Sequence, residues 1–405
     1  MGVVSKDPAL LAALRGQIDP QADTRGLIAN HPQSSASSGF DRKTAHELYV
    51  ALLGDPKIQA VINGVGIDTL IFASTGPLTS LPPSLLVVDP PTGADGDPQS
   101  MARTHWLIRD KALAVLPAVA SLKTLRVLLP ASRKAADLKL LALADPDFKG
   151  TGEIPHAEDG APPTRSVAPQ ARSVERDGRG SEALADLPPL YSTLAEGRAL
   201  AALLAPGETD ALLAGPDASK TRLLAHDADH SLARVQVLSF STHGLLTGDF
   251  SGLTEPALAL AHPPKVGADP SDDGLLKASQ AAALTLNADW VVLSACNTAS
   301  GDGQGAEGLS GLARAFFHAG ATTLLVSHWR VDDAATARLI AETFRLYKGG
   351  RANLASNAQG AARPTPRMTK AQALRLAILE MIDEPDGRRT DPRFWAPFVV
   401  VGEPQ

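Results

Sequence analysis

The stretches Val237-Leu238-Ser239-Phe240-Ser241-Thr242-His243-Gly244 and Trp290-Val291-Val292-Leu293-Ser294-Ala295-Cys296-Asn297-Thr298 decide how this chain is read. Each is an apolar run of strand length that ends in a reactive side chain. Runs that are apolar on both faces belong to parallel strands covered on each side by helices. The surrounding sequence alternates accordingly: strand over Val235–Ser241, helix over Gly274–Leu286, strand over Trp290–Ala295, helix over Leu309–Ala319 and strand over Thr322–Ser327. Helices over Ala334–Tyr347 and Thr369–Ile382 and a strand over Phe398–Val401 complete the series, with Asp272 and Asp273 placed to cap the first helix. This alternation predicts an α/β fold built on a mostly parallel sheet.

Working upstream, the pattern predicts helices over Leu190–Leu204 and Lys220–Ala233. Residues 148–184 are rich in glycine, proline and charge and read as an exposed loop or linker between an upstream half, 43–147, and a downstream half, 185–405. The upstream half holds a helix over Arg42–Leu53 and apolar runs of strand length at Thr69–Ala73, Leu85–Val88, Leu125–Leu129 and Leu140–Ala144. Thr104–Leu122 is mixed in character, and residues 1–42 read as a flexible lead-in.

Composition narrows the function. The net charge is −6, no block of basic residues occurs, and no apolar run reaches the roughly 18–20 residues that cross a bilayer. Nucleic-acid and membrane partners are therefore not expected. The opening Met1-Gly2-Val3-Val4-Ser5-Lys6 lacks the basic and apolar regions of a secretory leader, so a cytoplasmic protein is expected. Cys296 is the single cysteine, which excludes an intrachain disulfide and a cysteine-cluster metal site.

In an open parallel sheet, functional groups gather at the carboxyl ends of the strands. If the two quoted strands are neighbours, His243 and Cys296 share one cleft. A thiol nucleophile needs such an imidazole, which lowers its pKa and later protonates the leaving amine. Gly244 leaves room for a substrate carbonyl, and the N–H groups of Gly244 and Cys296 are placed to hold an oxyanion. The histidine precedes the cysteine by 296 − 243, that is 53, residues, close to the roughly 50-residue separation in caspases.

Ser241-Thr242-His243-Gly244, Leu293-Ser294-Ala295-Cys296-Asn297-Thr298-Ala299, Gly308-Leu309-Ser310-Gly311-Leu312-Ala313-Arg314-Ala315-Phe316 and Val326-Ser327-His328-Trp329-Arg330-Val331-Asp332-Asp333 resemble the CHAT domain. So does Phe394-Trp395-Ala396-Pro397-Phe398-Val399-Val400-Val401-Gly402. The CHAT domain is a bacterial-type relative of caspases and separases. The resemblance implies a caspase-like three-layer α/β sandwich whose upstream half is a degenerate second copy. It also implies a Cys–His dyad at Cys296 and His243 that cleaves peptide bonds with no metal and no cofactor. Relatives place the wall of their specificity pocket where Ser327–Asp333 lies, so Ser327, Trp329 and Asp332 are candidates to line the substrate cleft, and Glu307 joins them as an acid that with Asp332 would favour a basic residue before the cut. Family members commonly follow helical repeats, whereas here only a short lead-in precedes the domain.

Other patterns carry less. Gly303-Gln304-Gly305-Ala306-Glu307-Gly308 matches G-x-G-x-x-G but starts several residues after its strand, and the next strand lacks a terminal acid for a ribose. It reads better as a loop over the cleft. His226 and His230 have metal-ligand spacing on one predicted helix but no third ligand nearby. His328 ends the strand after Cys296, at a position where the family pattern does not require a histidine. The expectation is therefore a cysteine endopeptidase acting on protein substrates and gated by a protein or ligand activator or by self-cleavage. The alternative is a catalytically silent interaction module.

Overall fold

The computed structural model describes residues 14, 17, 39–123, 125–126, 139–154, 184–188, 190, 192–250, 252–263, 272–294, 311–329, 333–357 and 368–404. Chain order gives helix α1 (Arg42–Leu53) and strands β1 (Thr69–Phe72), β2 (Ala112–Val115) and β3 (Leu140–Pro146). Helix α2 (Thr193–Leu204), strand β4 (Leu212–Gly215), helix α3 (Lys220–Ala228) and strand β5 (Val237–Ser241) follow. Next come β6 (Gly244–Leu245), β7 (Ala257–Ala259), β8 (Leu275–Lys277) and β9 (Trp290–Leu293). Helix α4 (Gly311–Ala319), strand β10 (Thr323–Ser327), helices α5 (Asp333–Asn357) and α6 (Lys370–Ile382) and strand β11 (Phe398–Gly402) close the series. Two compact units cut across this order. Residues 1–126, 305–308 and 328–405 form the first, and residues 127–304 and 309–327 the second.

In the first unit β2 lies between β1 and β11 and pairs in parallel with both, Leu113 opposite Leu70 and Ala114 opposite Val400. Helix α1 begins at Asp41, whose carboxylate accepts the Thr44 N–H at 2.9 Å, the usual N-cap arrangement. Arg42 is only 1% exposed. Its guanidinium donates to Asp95, to Thr104 Oγ1 and to the carbonyls of Gly93 and Ser100, and this set of partners is what makes a buried cation tolerable. Trp106 and Trp395 meet edge to face at 5.2 Å, and their indole N–H groups donate to the carbonyls of Met101 and Thr390.

Two expectations for this unit change. Leu85–Val88 is not a strand: Pro83–Leu85 is a 3₁₀ turn, and Val87 makes only an isolated bridge with Trp106. Pro82 and Pro83 have no N–H to offer a ladder. The strand in this region is instead Ala112–Val115, inside the stretch read as mixed, because four residues are too few to establish a period. Leu125 and Arg126 are helical rather than extended, and the rest of that predicted strand lies outside the described residues.

The second unit is the parallel α/β layer expected, with strand order β10-β9-β5-β3-β4. All residues of β3, β5, β9 and β10 are buried, which explains their predominantly apolar character. Helix α4 lays Phe316 on Phe240 with ring centroids 5.5 Å apart. Strands β6, β7 and β8 form a separate antiparallel sheet. The helix predicted over Gly274–Leu286 is therefore corrected: Leu275–Lys277 is β8, and the helix covers only Ala278–Ala282. Asp272 and Asp273 do not cap it. They stand 3.3 and 2.8 Å from the buried ammonium of Lys220 at the start of α3.

Candidate active site

Strands β5 and β9 are parallel neighbours, with Phe240 opposite Leu293. The Ser294 N–H donates to the Phe240 carbonyl at 3.0 Å and carries the pairing one step further. Ser241 and Ser294 thus close the two strands at the same level. His243 follows the first serine by two residues, and Cys296 follows the second by two. Cys296, Glu307, Asp332 and the run Gly303–Gly308 lie outside the described residues.

His243 is 7% exposed, and its Nε2 stands 2.7 Å from the carbonyl oxygen of Pro188. A carbonyl only accepts, so the hydrogen is on Nε2, and Nδ1 is the basic nitrogen of the neutral ring. The Phe148 ring lies against the imidazole with centroids 5.5 Å apart. Phe148 is set there by its neighbour Asp147, whose buried carboxylate accepts from the Lys149 and Gly152 N–H groups and the Thr151 hydroxyl. Residues 148–154, predicted as the start of a linker, are therefore an organised turn, while 155–183 lie outside the described residues. Phe148, Leu184, Leu190, Leu245 and Leu253 share one apolar cluster, which draws the Pro188 segment to the histidine.

The backbone around His243 is fixed from the other side by β7. The Thr242 hydroxyl donates to the Ala259 carbonyl, and the Ala259 N–H donates to the His243 carbonyl at 2.9 Å. That second bond makes Gly244–Leu258 a non-hydrogen-bonded pair of the antiparallel ladder, so the Gly244 N–H points away from β7.

Beneath the strand ends sits Glu196 of α2, 1% exposed. Its Oε1 accepts the Ser241 hydroxyl at 2.6 Å, and its Oε2 accepts that of Ser294 at 3.0 Å. The same helix also holds β3, because the Asp145 N–H donates to Thr193 Oγ1 at 3.2 Å. Gly197 permits the approach: a Cβ there would stand 2.7 Å from Leu212 Cδ1 and 2.9 Å from Ala144 Cβ. Neither Glu196 nor Pro188 is evident in the sequence reading. Pro188 acts through a carbonyl that every residue possesses. The one available hint of Glu196 is a lone acid followed by glycine within the apolar Thr193-Leu194-Ala195-Glu196-Gly197 turn.

The remaining candidates are placed as follows. Ser327 ends β10 and is buried. Trp329 is 1% exposed, and its indole N–H points to the Arg393 carbonyl at 3.4 Å. His328 is buried, and its N–H donates to the Pro397 carbonyl at 3.0 Å. His226 bonds the Ser231 hydroxyl at 2.8 Å. Because α3 ends at Ala228 rather than Ala233 and His230 has φ 61°, the two histidines do not share a helical face. Among the described residues no cluster of three or more His, Cys, Asp or Glu is arranged to hold a metal, and no helix is long and apolar enough to cross a membrane.

A profile of the CHAT domain matches residues 42–403, nearly the whole chain and both strand ends. The chain belongs to the CHAT domain family. No curated protein matches it. Among solved structures, this CHAT domain is similar to the Arg specific cysteine proteinase gingipain R, at 13% identity over 52% of this chain and 42% of that one, with a TM-score of 0.33. A complex of Porphyromonas gingivalis RgpB pro- and mature domains matches at 10% identity over 54% and 43% of the two chains, with a TM-score of 0.30. The CHAT chain thus spans less than half the length of either structure.

Proposed function

We propose that this CHAT protein is a cysteine endopeptidase. The observation that carries the reading is the pairing of β5 with β9, which delivers an oriented His243 beside the strand that leads to Cys296. His243 takes the thiol proton, and the thiolate sulfur adds to the scissile carbonyl carbon. The N–H groups of Gly244 and Cys296 stabilise the oxyanion. Collapse of the intermediate breaks the C–N bond, and the amine leaves with the proton returned by His243. Water, deprotonated by the same imidazole, then hydrolyses the thioester and frees the thiol. Protein is the substrate class, and a protein or ligand activator or self-cleavage switches the enzyme on.

The test is self-cleavage and casein digestion by wild type beside Cys296→Ala and His243→Ala, with and without cell lysate as a source of activator. Activity present in wild type and absent from both variants supports the dyad. Activity that survives either substitution overturns it. A silent wild type is resolved by the pH dependence of Cys296 alkylation, clean because the chain has one cysteine. Reactivity that persists well below the ordinary thiol pKa of about 8.5 and disappears in His243→Ala marks a gated enzyme. An ordinary thiol profile marks an inactive interaction module.

A further inference from the structure

We infer that Glu196 is a positioning residue for the dyad, a buried carboxylate that holds the two reactive strand ends in register. The inference rests on the peptidase reading and adds to it a group that acts through the two serines.

One carboxylate receives both serines, Ser241 at 2.6 Å and Ser294 at 3.0 Å. Each serine lies two residues before a member of the dyad. Among the described residues the pairing of β5 with β9 runs to Phe240 and Leu293, and the Ser294 N–H on the Phe240 carbonyl extends it to the level of the two serines. At that level the two serine hydroxyls add a side-chain link between the strands. A carboxyl group suits this task because its two oxygens can each bond one hydroxyl at the same time. Burial raises the effect, because in a low-dielectric setting the bonds strengthen and the cost of leaving either partner unmet grows.

The helix that carries Glu196 is itself held tightly. Thr193 fixes it to the end of β3, and Gly197 brings it against Ala144 and Leu212. The first turn of α2 therefore gathers the carboxyl ends of β3, β5 and β9. A shift at Glu196 is passed to Thr242-His243 on one side and to Ala295-Cys296 on the other by two residues of chain each. Misplacement of about 1 Å in a reacting pair costs on the order of a hundredfold in rate.

The experiment compares the intact chain with Glu196→Gln, Glu196→Ala and the triple variant Glu196→Leu/Ser241→Ala/Ser294→Ala. The readouts are Cys296 alkylation by iodoacetamide across pH, the separate kcat and KM for casein, and the melting temperature. Gln keeps the size of the side chain and can still serve both hydroxyls, so its profile stays close to wild type. Ala should move the alkylation midpoint up toward an ordinary thiol and lower kcat by about ten- to a hundredfold with KM little changed. Should Ala fail to fold, the triple variant replaces donors and acceptor by apolar groups together, which spares stability, and it should show the same upward midpoint. A His243-dependent alkylation profile that all three variants leave unmoved overturns the inference and leaves the peptidase standing. A wild-type profile indifferent to His243→Ala removes the dyad and the inference with it.

Discussion

The imidazole of His243 is tied through Nε2 to the carbonyl of Pro188, 2.7 Å away and 55 residues earlier in the chain. The bond selects the tautomer and stops the ring from rotating about χ2. No side chain is spent on the task, so a substitution that merely changes the residue at 188 leaves the acceptor in place. The apolar cluster that brings the segment there is the part open to mutation.

Phe148 is the first place to test that arrangement. Phe148→Ala removes the ring packed on His243 and should cost about 3 kcal/mol by urea denaturation. Turnover should fall by about tenfold or more as the imidazole gains freedom. Phe148→Leu should keep most of both. Full turnover in Phe148→Ala at reduced stability would show that the contact is packing alone.

Gly197→Ala sets two effects against each other. Helix propensity favours alanine by about 1 kcal/mol, whereas overpacking in a tight core costs about 1–3 kcal/mol. The new Cβ would stand 2.9 Å from the Ala144 methyl on buried β3, which has no rotamer to yield, so overpacking should prevail. Denaturation should show a net loss, and adding Leu212→Ala should recover part of it by removing the other clash.

Acid should loosen the junction between α3 and β8. Burial pushes the Asp273 carboxyl up, but hydrogen bonds from Lys220, Lys277 and the Leu275 N–H together outweigh it and hold the carboxyl below its ordinary value. A depressed carboxyl contributes stability that is present above its unfolded pKa near 3.9 and is lost as pH falls through the folded value. Wild type should therefore lose stability below about pH 4. Lys220→Met should be less stable at pH 7, by up to about 3–5 kcal/mol if Asp272 is left buried without its cation, and should show a shallower acid limb. Equal acid slopes in the two proteins would refute this account.

His105 should behave in the opposite sense. Desolvation pushes its pKa down, but Asp110 at 2.9 Å on one ring nitrogen and Asp89 at 2.7 Å on the other prevail and raise it above the ordinary 6.5. Both nitrogens face carboxylates, so both carry hydrogens only in the imidazolium. Its contribution is full below the unfolded pKa and is lost as pH rises through the folded one. NMR titration should place the His105 midpoint above 6.5, and Asp110→Asn should bring it down.

The sequence by itself determined the α/β class, strands β5, β9, β10 and β11, and a histidine and a cysteine that each follow one of these strands. It could do so because a buried parallel strand must be apolar along its length, which makes a terminal histidine or cysteine conspicuous. Only the tertiary structure decided that Leu85–Val88 yields to Ala112–Val115 as a strand and that Gly274–Leu286 opens with β8. Those segments are short, and their state is set by the neighbours they pair with. Tertiary structure alone also decided the Pro188 carbonyl, the Phe148 ring and the Glu196 carboxylate around the site. A carbonyl has no letter in the sequence. A lone glutamate on a helix reads as a surface charge until the fold buries it between two serines that lie 45 and 98 residues away.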